Sequence, residues 1–224
     1  DVSSLKQIVY GSASMPVSRL NEALQVFGPI FSQVYGLTEC VCEATSLSAA
    51  DHVVDGPPEK VRRLGSAGRE TTNCHVRVVR PDGTDIARDC EEVGEVIING
   101  DNLLTEYWNM PEVTAESIRD GWLRSGDLAT MDAEGYIYIV DRKHDMIISG
   151  AINIFPREIE EVLYNHPAVF EATVVGIPDE EWGENVMALI VLKQGQTATE
   201  EEIINYCKER LATYKKPKSV IFVN

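Results

Sequence analysis

Read by the spacing of its apolar and polar positions, the chain changes texture twice. Leu5 to Tyr10 (LKQIVY) has strand character, and Gly11-Ser12-Ala13-Ser14-Met15-Pro16 follows as a tight turn. Val17, Leu20, Leu24 and Phe27 recur at helical spacing and predict one buried helix face, stopped by Gly28-Pro29. Phe31 to Tyr35 is a second strand, running into Gly36-Leu37-Thr38-Glu39. Strand, helix, strand predicts a parallel βα unit, and ligands of such sheets bind beyond the carboxyl ends of the strands. The turns at Gly11 and Gly36 belong to that edge.

Ala49 to Leu64 is polar and proline-rich and is expected to be a surface loop. From Gly65 the pattern becomes all-β. His75 to Val79 alternates, Pro81-Asp82-Gly83 is a turn, and Gly94 to Ile98 is a further strand. A short helix is expected over Pro111 to Ile118. Leu128 to Met131 and Tyr136 to Val140 flank Asp132-Ala133-Glu134-Gly135, a hairpin signal. After Arg142 the texture changes again. Asp145 to Ser149, Ala172 to Gly176 and Val186 to Leu192 read as strands, and Pro156 opens a helix with Ile159, Val162 and Leu163 on one face. Thr199-Glu200-Glu201-Glu202 is a capping box ahead of a helix that buries Ile203, Ile204, Cys207 and Leu211. The expected architecture is α/β over 1–52, β-barrel-like over 60–142, a hinge at 143–145, and a small α+β lobe over 146–224.

Composition narrows the function classes. The 224 residues are 44% hydrophobic and 25% charged, ordinary for a globular chain. The net charge of −16 argues against a nucleic-acid partner, which calls for a basic face. It leaves a nucleotide open, because one arginine and a metal ion reverse the local field. The five cysteines fit no zinc spacing and read as reduced thiols of a cytoplasmic protein. No apolar run approaches the ~20 residues of a membrane span. The chain opens at Asp1 without methionine and closes just after a strand, so it reads as part of a longer polypeptide.

Three local groupings carry candidate chemistry. Tyr35-Gly36-Leu37-Thr38-Glu39 offers a ring that can stack on a purine, a flexible glycine, a hydroxyl and a carboxylate. Hard oxygens at a strand end suit phosphate and Mg²⁺, although a turn with a surface Glu is the plainer alternative. Asp127 in Ser125-Gly126-Asp127, placed just after a glycine turn, can accept from both hydroxyls of a ribose, or can simply sit in a turn. Arg142 can contact ribose or phosphate as a fixed donor fork, or form a surface ion pair.

Taken in order, GSASMP, YGLTE, GEVIING, EYWNMPEVT, GWLRSGDL, DRKHDMIISG, NIFPREIEEVL and YKKPK resemble the adenylate-forming superfamily, in particular its acyl- and aryl-CoA synthetases. The resemblance runs from Asp1 to Asn224 and implies two half-reactions. ATP and a carboxylate give an acyl-adenylate and pyrophosphate. The thiol of coenzyme A then displaces AMP. By this resemblance Gly11, Ser12 and Ala13 flank the adenine and Tyr35 stacks on it beside Gly36. Thr38 meets phosphate oxygens, Glu39 holds Mg²⁺, Asp127 grips the ribose, and Arg142 contacts the nucleotide close by. His144 falls at the family's hinge, where Asp or Lys is usual. Gly150 and Ala151 fall where the family has a glycine pair along the pantetheine tunnel, so Ala151 departs by one methyl. Trp182, Tyr214, Lys216 and Lys218 fall where related aryl-CoA ligases meet the coenzyme A nucleotide, although a solvated basic loop is the plainer reading of YKKPK.

The resemblance also places a phosphate loop ahead of Asp1 and an adenylation lysine beyond Asn224. The chain alone is therefore expected not to adenylate. The partners implied are a small carboxylic acid and coenzyme A, with neither the acid nor an oligomeric state selected by these motifs. The rivals are a non-catalytic nucleotide-binding or interaction module of the same fold, a luciferase-like oxygenase, and an enzyme that loads a carrier protein.

Overall fold

Two short strands set the first part of the molecule. β1 (Ile8–Tyr10) and β2 (Phe31–Tyr35) run parallel, with Ile8 opposite Phe31 and Tyr10 opposite Gln33. α1 (Val17–Phe27) makes the crossover, as the periodicity predicts. Leu20 and Leu24 bury against Phe31 and Leu64. Phe27, the last residue of the helix, does not join them. It stays partly exposed, with its ring edge-on to Phe31 at 6.2 Å. β1 is shorter than expected, and Leu5 lies exposed before it. The computed structural model describes residues 2–41 and 43–223, and Cys42 lies outside the described residues.

The sheet continues through β3 (Thr45–Leu47), antiparallel to β2, and β4 (Arg69–Glu70). The segment between them is not the surface loop its composition suggests. It carries α2 (Pro58–Arg62) and single 3-10 turns, and it buries His52, Arg63 and Leu64. Arg63 reaches Asp51 at 3.3 Å and Glu134 at 2.5 Å, and lies over the Tyr136 ring at 4.3 Å. A guanidinium with two carboxylates and an aromatic face is stable inside, so a polar stretch becomes core.

A second, five-stranded sheet follows. β5 (Cys74–Val79) pairs with β6 (Gly94–Gly100), and β6 with β8 (Trp122–Met131). The short helix α3 (Pro111–Ser117) leads into β7 (Ile118–Arg119), which folds back on β8. β9 (Ile137–Arg142) also pairs with β8 after the expected turn, where Gly135 N–H donates to Asp132 O at 3.0 Å. The aliphatic residues of β5 and β6 bury with Ala129, Met131 and Ile137.

The chain divides into two compact units, Asp1–Ile139 and Val140–Asn224. In the second, β10 (Ile147–Ser149) and β11 (Ile152–Ile154) form a tight hairpin. β10 starts two residues later than expected, because Arg142 to Met146 is a turn in which Asp145 and Met146 N–H both donate to Arg142 O. α4 (Pro156–Tyr164) precedes the long hairpin of β12 (Val169–Asp179) and β13 (Gly183–Leu192). α5 (Glu200–Lys208) follows, and β14 (Ser219–Phe222) joins β13 in parallel. The capping box forms as read: Glu202 N–H donates to Thr199 Oγ1 at 3.2 Å, and Thr199 N–H to Glu202 Oε2 at 2.7 Å. Ile159 and Leu163 of α4 and Ile203 and Cys207 of α5 close one core over the sheet.

Candidate functional site

Because β1 and β2 are parallel and adjacent, the loops that leave them emerge on one edge. Gly11 stands against β2 so closely that a Cβ there would lie 2.5 Å from Val34 O. Only a residue without a side chain brings these two loops together. Ser12 takes a left-handed φ of 66°, and Ser12 and Ala13 are exposed on that edge. Past Tyr35 and Gly36, residues Thr38–Cys40 form a 3-10 turn with Thr38 exposed and Glu39 half-buried.

Asp127 sits inside a strand and not, as expected, after a turn. Glu95 pairs with Leu128 and Ile97 with Arg124, so Val96 alone faces the segment Ser125-Gly126-Asp127. The result is a bulge in β8, enabled by the positive φ of Gly126 (75°) and pinned by Ser125 Oγ, which donates to Val96 O at 2.7 Å. A bulge re-aims the side chain beside it, and here Asp127 meets Tyr35. The Tyr35 hydroxyl donates to Asp127 Oδ2 at 2.7 Å. Asp127 is buried, and burial followed by the Asp127 charge pushes the Tyr35 hydroxyl well above its ordinary pKa. The pair is therefore a neutral phenol held on a carboxylate.

Glu39 has a partner that its sequence position does not reveal. Tyr107, from EYWNMP, donates its hydroxyl to Glu39 Oε1 at 2.9 Å. Among the described residues no cluster of three or more His, Cys, Asp or Glu is placed to hold a metal ion. A single carboxylate next to a hydroxyl does fit Mg²⁺, which keeps its waters and takes most other ligands from phosphate oxygens. The donor set Thr38–Glu39 thus suits a metal that arrives with a nucleotide, and not a resident metal.

In the second unit, Arg142 ends β9 exposed, and His144 is exposed in the turn that follows. Asp141 Oδ1 accepts from Arg142 N–H at 2.8 Å, and Asp141 Oδ2 from Arg157 N–H at 3.1 Å in the first turn of α4. Burial nonetheless keeps the Asp141 carboxyl above the usual carboxylate range.

The same unit brings together residues that the sequence leaves scattered. A largely apolar cavity of about 360 Å³ is lined by Trp182, Tyr214, Lys216 and Lys218, with Ile152 and Thr213 among its other walls. Trp182 and Tyr214 remain 47% and 50% exposed, so two aromatic faces stand open to a ligand. Gly150 N–H donates to Trp182 O at 2.6 Å, and a Cβ at Gly150 would approach the Trp182 ring to 3.2 Å. Gly150 takes a φ of 63°, and Ala151 is exposed beside it in the hairpin turn. The lysines of YKKPK separate by role. Lys215 Nζ donates to both oxygens of Glu158, at 2.8 and 2.6 Å, whereas Lys216 and Lys218 face the cavity. Two aromatic faces and two ammonium groups suit a ligand with a ring and phosphates.

Among the described residues, no helix is long and apolar enough to cross a membrane. Comparison with known proteins gives the family. A medium/long-chain-fatty-acid–CoA ligase of Mycobacterium tuberculosis is 41% identical over 100% of this chain and 39% of its own length. The o-succinylbenzoate CoA synthetase of Bacillus subtilis, solved with its acyl-adenylate intermediate, is 36% identical with a TM-score of 0.86, over 99% of this chain and 43% of that one. An amide bond synthetase from Marinactinospora thermotolerans is 34% identical with a TM-score of 0.89, over 100% of this chain and 44% of that one. The chain thus spans less than half the length of each. Residues 1–108 match the family of AMP-binding enzymes, and residues 158–224 match the AMP-binding enzyme C-terminal domain. The chain belongs to the AMP-binding enzymes, the adenylate-forming superfamily.

Proposed function

We propose that the protein containing this chain is an AMP-forming ligase that activates a fatty or aryl carboxylic acid as its adenylate and passes the acyl group to coenzyme A. The observation that carries this reading is the meeting of Tyr35 and Asp127 across 2.7 Å beside the β1 and β2 loop edge. It supplies a ring face and a buried carboxylate together, as a nucleoside needs. Gly11, Ser12 and Ala13 line the adenine side, Asp127 accepts from the ribose hydroxyls, and Arg142 supplies a donor fork. Thr38 donates to phosphate oxygens and Glu39 ligates Mg²⁺. Mg²⁺ held by Glu39 would supply charge neutralisation to the phosphates.

The cavity beside Trp182 supports coenzyme A as acceptor. Lys216 and Lys218 offer charge to its phosphates, Trp182 and Tyr214 offer faces to its adenine, and Gly150 leaves the pantetheine path open where Ala151 adds one methyl. An amine acceptor is the second reading, favoured by the likeness to the amide bond synthetase. The exposed turn at Lys143, His144 and Asp145 is read as the hinge of a lobe that changes orientation between half-reactions. The five-stranded sheet is read as the barrel-like part of the nucleotide-binding domain. The thiols of Cys74, Cys90 and Cys207, outside any disulfide, support a reducing, cytoplasmic setting.

The test is pyrophosphate release and thioester formation by the full-length protein with a panel of fatty and aryl acids, with coenzyme A or an amine as acceptor. Thioester with at least one acid is expected. Pyrophosphate release with product only on the amine selects the second reading. No pyrophosphate release with any acid, from protein that still binds AMP, overturns the ligase in favour of a nucleotide-binding module.

A further inference from the structure

We infer that Tyr107 is a positioning residue for the Glu39 carboxylate: it fixes one oxygen by a hydrogen bond and leaves the other for the divalent cation that accompanies a nucleotide. This rests on the reading of Glu39 as a metal ligand. The loop after β6 grips the 3-10 turn at three points. Asn102 Nδ2 donates to Cys40 O at 2.6 Å, Leu104 N–H to Glu39 O at 2.7 Å, and Tyr107 Oη to Glu39 Oε1 at 2.9 Å. Backbone and side chain of Glu39 are therefore both held from one loop.

Tyr107 is itself anchored. Its N–H donates to Thr114 Oγ1 at 2.9 Å, and that hydroxyl donates to Met110 O at 2.9 Å in the first turn of α3. The anchoring matters because an unrestrained glutamate loses rotamer freedom when it binds. Here that ordering precedes the ligand. Among the described residues, the Tyr107 bond is the one hydrogen bond to the Glu39 carboxylate.

The choice of a phenol also has a chemical consequence. A lysine or arginine in its place would neutralise Glu39 and compete with the cation, whereas tyrosine orients the carboxylate and leaves its charge. Partners that orient a metal ligand in this way cost 10–100-fold in metal affinity or activity when removed.

The experiment measures ATP affinity of the full-length protein by calorimetry across a Mg²⁺ titration, for wild type, Tyr107→Phe, Thr114→Val and Glu39→Gln. Tyr107→Phe is expected to bind ATP without Mg²⁺ as wild type does, but to need roughly tenfold more Mg²⁺ for the half-maximal gain. Thr114→Val, which loosens Tyr107 and keeps its hydroxyl, shifts the same midpoint less, and it decides the matter if Tyr107→Phe does not fold. Glu39→Gln loses the Mg²⁺ gain. Wild-type Mg²⁺ dependence in Tyr107→Phe (or, failing that protein, in Thr114→Val), with the gain lost in Glu39→Gln, overturns the positioning role and leaves the metal reading standing. A full Mg²⁺ gain in Glu39→Gln overturns both.

Discussion

Tyr35 and Asp127 lie 92 positions apart, yet the phenol of one donates to the carboxylate of the other at 2.7 Å. Two residues expected to serve the base and the sugar separately are one hydrogen-bonded unit. The Tyr35 hydroxyl is spent on holding Asp127, so in the proposed site the Tyr35 ring and the remaining acceptor capacity of Asp127 are what would meet a nucleoside. Orientation of Asp127 thus depends on the bulge at Gly126 and on Tyr35 together.

The first prediction separates charge from fold at this pair. Asp127→Ala removes the acceptor and leaves the buried Tyr35 hydroxyl without it, at a cost of about 1–3 kcal/mol in stability. Asp127→Asn keeps an acceptor for Tyr35 and removes the charge. Both are expected to weaken AMP or ATP binding by roughly ten- to a hundredfold, as loss of a charged hydrogen bond does. Only Asp127→Ala is expected to lose much melting temperature. Unchanged AMP affinity by calorimetry in both variants would remove Asp127 from the ribose.

The second prediction concerns the approach of the two loops. Gly11→Ala puts a methyl 2.5 Å from Val34 O, closer than real Cβ atoms come, so β1 and β2 must part. Overpacking of this kind costs about 1–3 kcal/mol. For a chain of this size each kcal/mol lowers the melting temperature by about 2–4 °C. A variant that melts with wild type would show that the strands are not held together as tightly as the structure places them.

How much of this could be read from the chain follows from sequence distance. The βα unit is legible because Leu20, Leu24 and Phe31 announce their periods locally. The capping box at Thr199 is legible for the same reason. The interior of 49–65 is not, because Arg63 needs, besides Asp51, the distant Glu134 and Tyr136, which join it by tertiary folding alone. The bulge at Gly126 hides likewise: glycine after serine signals a turn, and only the register against Val96 shows a strand carried through. Tyr107 gives no local sign of its bond to Glu39, although it stands in the EYWNMP motif. The adjacent lysines of YKKPK look alike in sequence, and Glu158 alone sets Lys215 apart.

That difference among lysines gives the third prediction. Lys216→Ala and Lys218→Ala are each expected to raise the KM for coenzyme A five- to tenfold, about 1–1.4 kcal/mol, by loss of a charged contact to phosphate. Lys215→Ala breaks an ion pair with a half-exposed glutamate and is expected to change that KM little. Pantetheine, which lacks the nucleotide, provides the control, since neither variant should alter its use. Equal effects of all three substitutions, or equal losses with pantetheine, would remove Lys216 and Lys218 from the phosphates.

The last prediction concerns alkaline pH. Burial raises the hydroxyl pKa of Tyr10, Tyr35 and Tyr138, with Asp127 adding to the rise at Tyr35 and Asp132 at Tyr138. In the unfolded chain each tyrosine loses its proton near the ordinary value of 10.0. Above that pH the unfolded chain binds fewer protons than the folded one, so stability falls as pH rises. The stability from these groups is therefore fully present below pH 10 and declines above it. One such group contributes a slope of at most about 1.4 kcal/mol per pH unit. Tyr35→Phe removes one of them. It should be less stable than wild type at neutral pH, through loss of its bond to Asp127, and lose stability less steeply above pH 10. Urea midpoints taken from pH 8 to pH 11 measure both quantities. Parallel curves for the two proteins would mean that the Tyr35 hydroxyl is not held protonated on Asp127.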